Sequence, residues 1–237
     1  MNLQRTQHSH RGVIGVESAI VMIAFVIVAA ALAFVVLNMG FSTTQKVKTI
    51  TTSSLEEASS AMEISGTVYG IGCTSSASGC DATQKINATI IPIKIAAGGN
   101  LVNFAPDITA ISFFTKDVEY TNIYAGTITT DEYKQPVLAF RQAALEAGSA
   151  FDAFNGANPI NGTLPSETTA FVYWPKRLNT NSILEAGEHA VLAVGFADTD
   201  RPLAHQKISI EIMLSDGGTL TIDRIIPNIT RENVDFG

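Results

Sequence analysis

The chain has 237 residues, 22 acidic against 15 basic for a net charge of −7, and 46% hydrophobic against only 16% charged residues. With a mean hydropathy of +0.22 it is too apolar and too sparsely charged to remain a solvated coil, and it is long enough for one large or two small packed domains. A pI near 5.0 without clustered Lys and Arg excludes nucleic acid as the main partner, and two cysteines exclude a disulfide-dense scaffold and a four-cysteine zinc site.

The first element is unmistakable. From Ala19 to Leu37 every residue is Ala, Val, Ile, Leu, Met or Phe, an unbroken run of 19. As a helix it is about 28 Å long, close to the hydrocarbon thickness of a bilayer. Arg5, His8, His10 and Arg11 precede it, with no acidic residue before Glu17. That basic flank stays on the cytoplasmic side of a membrane, so the rest of the chain faces outward. A secretory signal peptide would have a shorter apolar core followed by a small-residue cleavage site. Here helix-compatible residues follow instead, and apolar ones recur at Phe41, Val47, Ile50, Leu55, Ala58 and Ala61 or Met62. This predicts one helical stripe persisting to about Glu63, with Gly66 marking the stop.

The stretch Arg11-Gly12-Val13-Ile14-Gly15-Val16-Glu17, the apolar run behind it and Asn38-Met39-Gly40-Phe41 resemble the N-terminus of archaeal flagellins (archaellins), relatives of type IV pilins. The resemblance implies that a basic leader, residues 1–12, is removed between Gly12 and Val13 by a membrane aspartyl leader peptidase, while the apolar segment stays. Losing Arg5 and Arg11 leaves 13 basic against 22 acidic residues, net −9. Glu17 becomes the fifth residue of the mature chain. In type IV pilins an acid at this place pairs with the N-terminal amine of a neighbouring subunit, whereas many archaellins lack one; the other reading leaves Glu17 solvated near the headgroups. Residues 13–64 are then a membrane anchor first and a filament core later, with Ile20, Ile23, Ile27, Phe34, Leu37 and Phe41 as core residues. Withdrawn from lipid, such a helix must bury its side chains elsewhere, at about 1.5–3 kcal/mol for each large apolar one, and copies of itself supply the surface. Ala29, Ala30, Ala31 and Ala33 permit close approach, as they would in any single-pass anchor.

Residues 65–237 change to Thr, Ser, Gly and Asn with β-branched and aromatic residues in period two, which predicts an outer β-domain. Cys73 and Cys80 enclose a six-residue flexible loop. They are a candidate disulfide, favoured over two free thiols by the outward location and contributing roughly 2–3 kcal/mol if closed. Strands are expected at 86–95, 108–115, 118–124, 168–174 and 189–196, and a short helix at 134–148 with Pro136 in its first turn. Residues 155–163 read as an exposed loop. Lys207–Leu214 and Thr219–Ile225 alternate polar and apolar around Ser215-Asp216-Gly217-Gly218, a hairpin. The whole is α+β: a long hydrophobic N-terminal helix followed by an antiparallel sandwich or barrel-like domain. Leu184-Glu185-Ala186-Gly187-Glu188 and Arg224-Ile225-Ile226-Pro227 resemble archaellin outer-domain motifs and weigh against a pilin.

Asn87, Asn161 and Asn228 each begin an N-glycosylation pattern. Asn161 sits in the most open surroundings and Asn87 in an expected strand; archaellins are commonly glycosylated. Asp198-Thr199-Asp200 could lend carboxylates to a Ca²⁺ ion but supplies too few oxygens alone, so a turn is the simpler reading and no metal is expected. Trp174 fits the core better than a ligand platform. No Gly-x-Ser-x-Gly elbow, P-loop, His-Glu-x-x-His or two-cysteine ligand repeat is present, so neither enzyme activity nor a cofactor is expected. The resemblance implies a structural subunit of the archaellum, the extracellular swimming filament, made as a membrane-inserted precursor. Its partners would be copies of itself, sister archaellins, the leader peptidase and the motor and assembly platform. A type IV-like adhesion pilus subunit and a monomeric membrane-anchored binding domain are the alternatives.

Overall fold

A computed structural model describes residues 11–58, 62–72, 84–145, 153–161, 163–215 and 218–237. The chain divides into two compact units, Met1–Ser54 and Leu55–Gly237.

Helix α1 spans Arg11–Ala58, 48 residues, or about 72 Å. No proline interrupts it. Its apolar side chains face every direction, which is the pattern of a helix that is surrounded by apolar neighbours or lipid. Hydroxyls turn back onto the helix: Thr44 Oγ1 donates to the Gly40 carbonyl at 2.8 Å and Thr49 Oγ1 to the Gln45 carbonyl at 3.0 Å. These polar groups therefore need neither water nor a partner chain.

The helical stripe expected to reach Glu63 stops sooner. α1 ends at Ala58, and β1 (Met62–Ile64) is a strand. Met62 is buried in the core, while exposed Glu63 pairs with Lys94 at 2.9 Å. Apolar, polar, apolar is too short a pattern to distinguish helix from strand, and here the partner strand decides.

The second unit continues with β2 (Tyr69–Gly72), β3 (Ile86–Ile95), β4 (Val102–Asn103), β5 (Thr109–Phe114), β6 (Glu119–Tyr120), β7 (Tyr124–Thr127) and α2 (Pro136–Leu145). A 3-10 turn at Pro159–Asn161 then leads to β8 (Thr169–Lys176), β9 (Ile183–Leu184), β10 (His189–Gly195), β11 (Lys207–Leu214), β12 (Thr219–Ile225) and β13 (Asn233–Asp235). A seven-stranded sheet runs β13-β2-β3-β10-β8-β7, with β1 also on β3; a four-stranded sheet runs β12-β11-β5-β6; β4 and β9 form a short pair. The sheets are stacked, not closed, so the domain is a sandwich and the barrel-like alternative falls away. One pairing, β7 with β8, is parallel.

Period two explains the layering. Along β8, Ala170, Val172 and Trp174 enter the core between the sheets, while Phe171 and Tyr173 enter a second cluster on the outer face. β10 does the same with Ala190, Leu192 and Val194 against Val191 and Ala193. Both faces of the large sheet are thus buried, which requires a third layer. α2 supplies it with Ala139, Phe140 and Ala143. Phe140 stacks on Phe154 at 5.6 Å, and Phe171 stands edge-on to both. A Cβ at Gly195 would come within 2.5 Å of the Phe154 ring, so glycine permits this contact.

The strand expected at 118–124 is two strands. Asn122 Oδ1 accepts from Ile111 N at 3.2 Å and Tyr124 N at 3.0 Å, turning the chain from β6 in one sheet to β7 in the other. In β8, Trp174 and Pro175 together oppose one residue of β10 where the register shifts. A bulge tolerates the proline, which has no N–H for the ladder. The β11–β12 hairpin pairs Lys207 with Ile225 and Met213 with Thr219; Asp216 and Gly217 lie outside the described residues.

Candidate functional site

On α1 every described residue from Gly15 to Thr51 is exposed. The expected core residues Ile20, Ile23, Ile27, Phe34, Leu37 and Phe41 are between 58% and 68% exposed. They are not a separate face. Val21, Met22, Phe25, Val26, Val28, Leu32, Val35, Val36 and Met39 are similarly bare. Gly15–Thr51 is long and apolar enough to cross a membrane. An apolar surface of this extent marks a contact with lipid or protein. Its charges are few: Glu17, Lys46 and Lys48 within Gly15–Thr51. Gly12 and Val13 lie in the first turns of α1.

The β-domain sorts the remaining sites. Asn87 is 1% exposed. Its Nδ2 donates to the Pro159 carbonyl at 3.1 Å, and its Oδ1 accepts from Arg201 Nη1 at 3.1 Å. The nitrogen a glycan would need is buried and engaged, so Asn87 is a structural residue and drops out as a glycan acceptor. Asn161 and Asn228 are exposed, as are Thr163 and Thr230. Cys73 and Cys80 lie outside the described residues.

Asp198-Thr199-Asp200 holds protein donors. Asp198 Oδ1 accepts from Arg201 Nη2 at 2.6 Å and Nε at 3.1 Å. Asp200 Oδ2 accepts from Tyr120 Oη at 2.9 Å and Thr168 Oγ1 at 2.7 Å, and its Oδ1 from Thr199 Oγ1 at 2.9 Å. That hydrogen bond and the nearby carboxylate raise the Tyr120 pKa, because both favour the protonated phenol. This corner is a clasp in which Thr168, Asp200 and Arg201 are buried and Tyr120, Asp198 and Thr199 exposed, and no metal-ligating cluster occurs among the described residues. Trp174 is fully buried, edge-on to Phe104 at 6.3 Å: core, not a platform. Tyr124 donates to the Phe104 carbonyl at 2.6 Å, and burial raises its pKa.

Glu188 closes the motif at 184–188. Only 2% exposed, its carboxylate accepts from Leu178 N at 2.6 Å and Glu185 N at 3.0 Å. Gly187 beside it has φ +95°, a conformation that glycine adopts at no steric cost. The Leu-x-x-Gly-Glu motif is therefore a turn whose last side chain ties two backbone segments together.

A family model for archaeal-type flagellin matches residues 12–224. The chain belongs to that family. This flagellin is 33% identical over 222 residues to a probable flagellin of Aeropyrum pernix, with 92% of each chain covered. It is 38% identical over 123 residues to flagellin FlaB2 of Saccharolobus shibatae, covering 51% of this chain and 38% of that one. Its fold resembles the archaeal flagellum of Methanospirillum hungatei, with TM-score 0.55, 21% identity and coverage of 93% and 98%. It also resembles flagellin FlaB1 of Methanocaldococcus jannaschii, with TM-score 0.53, 12% identity and coverage of 73% and 94%. As an archaeal flagellin it is a structural subunit of the motility filament.

Proposed function

We propose that this flagellin is made as a membrane-inserted precursor, is cut between Gly12 and Val13 by a leader peptidase, and then polymerises with copies of itself into the extracellular archaellum. In this reading residues 13–58 bundle as the filament core and the β-domain forms the outer wall. The observation that carries it is α1: a helix with apolar side chains exposed on every side from Val16 to Ile50 needs lipid before assembly and other helices after it. Gly15 and Gly40 support it, since a Cβ at either would meet nothing within 4 Å in this chain. Helix glycines cost about 1 kcal/mol relative to alanine, a cost that close approach of another helix offsets.

The subunit transmits torque from a motor built of other proteins and catalyses nothing. A match running through the β-domain to residue 224 favours the swimming filament over an adhesion pilus, with which the N-terminal physics is shared. Glycans, where present, attach at Asn161 and Asn228. Filaments sheared from cells provide the test. N-terminal sequencing of the sheared subunit is expected to begin at Val13. A subunit starting at Met1, or absence of this chain from the filaments, overturns the proposal.

A further inference from the structure

A bundle of identical apolar helices has to place its charges. Within Gly15–Thr51 these are Glu17, Lys46 and Lys48, all exposed on α1. A carboxylate pressed against the Ala19–Leu37 run of a second copy would lose its water and gain no partner, at a cost of several kcal/mol. Offsets that bring Glu17 beside residues 19–37 of a neighbour are therefore penalised. Offsets that bring it beside Asn38–Gln45 meet polar but uncharged groups. The first cationic side chain beyond them is Lys46.

The helical geometry adds an independent condition. Glu17 and Lys46 are 29 residues apart, about eight complete turns, so both lie on one face of α1. Lys48 projects from roughly the opposite face. In a helical polymer of identical subunits every copy has the same surroundings, so a contact that takes in the Glu17 face of α1 takes in the Lys46 face as well. Along the helix they are about 44 Å apart. Two copies of Val13–Ala58 offset by that distance still overlap along about 25 Å of helix.

We propose that α1 carries its own assembly register: Glu17 of one copy pairs with Lys46 of a second copy displaced by about 44 Å along the filament axis. The pairing rests on the filament reading above and adds the partner residue and the offset. The N-terminal amine of Val13, only four residues away, calls instead for an offset of about 6 Å, so the two pairings are alternative registers.

Sheared filaments treated with a zero-length carbodiimide, digested and analysed by mass spectrometry test this directly. The expected product joins Glu17 to Lys46. Because the two are about 44 Å apart within one chain, any such link is between copies. Glu17 joined to the Val13 amine without Lys46, or no link from Glu17, overturns the register while leaving the filament reading intact. Filaments without this chain overturn the filament reading itself. In cells, Glu17→Gln and Lys46→Gln are each expected to lower filament yield about tenfold or more. The exchange of Glu17→Lys with Lys46→Glu is expected to restore it. An amine-paired Glu17 predicts the opposite, since a lysine at position 17 would repel the amine, and failure of the exchange to restore yield overturns the proposal.

Discussion

Glu188 is an acid with 2% of its surface exposed, and backbone N–H groups hold it there. Truncation to alanine removes the charged acceptor of Leu178 N and Glu185 N, two part-buried hydrogen bonds, at about 1–3 kcal/mol. Glu188→Ala is expected to lower the unfolding free energy of the β-domain by that amount in urea melts. Glu188→Gln, which keeps one acceptor oxygen, is expected to lose less. Equal losses for both would show that charge, and not the acceptor pair, is what the turn requires. Asn87 teaches the converse lesson. Its sequence pattern suits a glycan acceptor, yet its amide bridges Pro159 and Arg201. A sequon and a buried strand asparagine look alike in sequence; only the partners from residues 72 and 114 positions away separate them.

Elements were legible where period two extends far enough to establish itself. β3, β11 and β12 coincide with their sequence-based bounds, and α2 begins at Pro136, two residues inside the helix expected over 134–148. Strands of two or three residues carry no such signal, which is why β1, β4 and β9 are visible only through their partners. β13 is the instructive omission. Nothing in Asn233-Val234-Asp235 reads as a strand, but pairing with β2 brings Val234 and Phe236 into the core, and Phe236 N donates to the Val68 carbonyl at 2.8 Å. Gly70 and Gly72 make room for it: added Cβ atoms would meet the Phe236 ring at 2.5 Å and Ile229 at 2.6 Å. Deleting residues 233–237 removes two buried side chains worth about 1.5–3 kcal/mol each, as an upper estimate. The β-domain is therefore expected to lose roughly 3–6 kcal/mol in denaturant, and a loss below about 1 kcal/mol would show that the terminus is an ornament on the sheet.

At the scale of the whole molecule, a moderate mean hydropathy conceals two unlike surfaces. Among the described residues, eighteen large apolar side chains are exposed between Val16 and Ile50 and only eight in the β-domain. Residues 62–237 carry 19 acidic against 11 basic groups, net −8, far enough from neutrality to oppose association. In the proposed assembly, attraction between copies therefore belongs to α1, and the acidic outer domain resists it. Scattered exposed apolar residues such as Leu178 and Ile225 are ordinary for a soluble surface. Residues 62–237 expressed alone are expected to sediment as a monomer under conditions in which the chain from Val13 assembles. Self-association of that fragment would mean that the outer wall supplies its own adhesion, and would move part of the driving force for assembly from the helix to the sandwich.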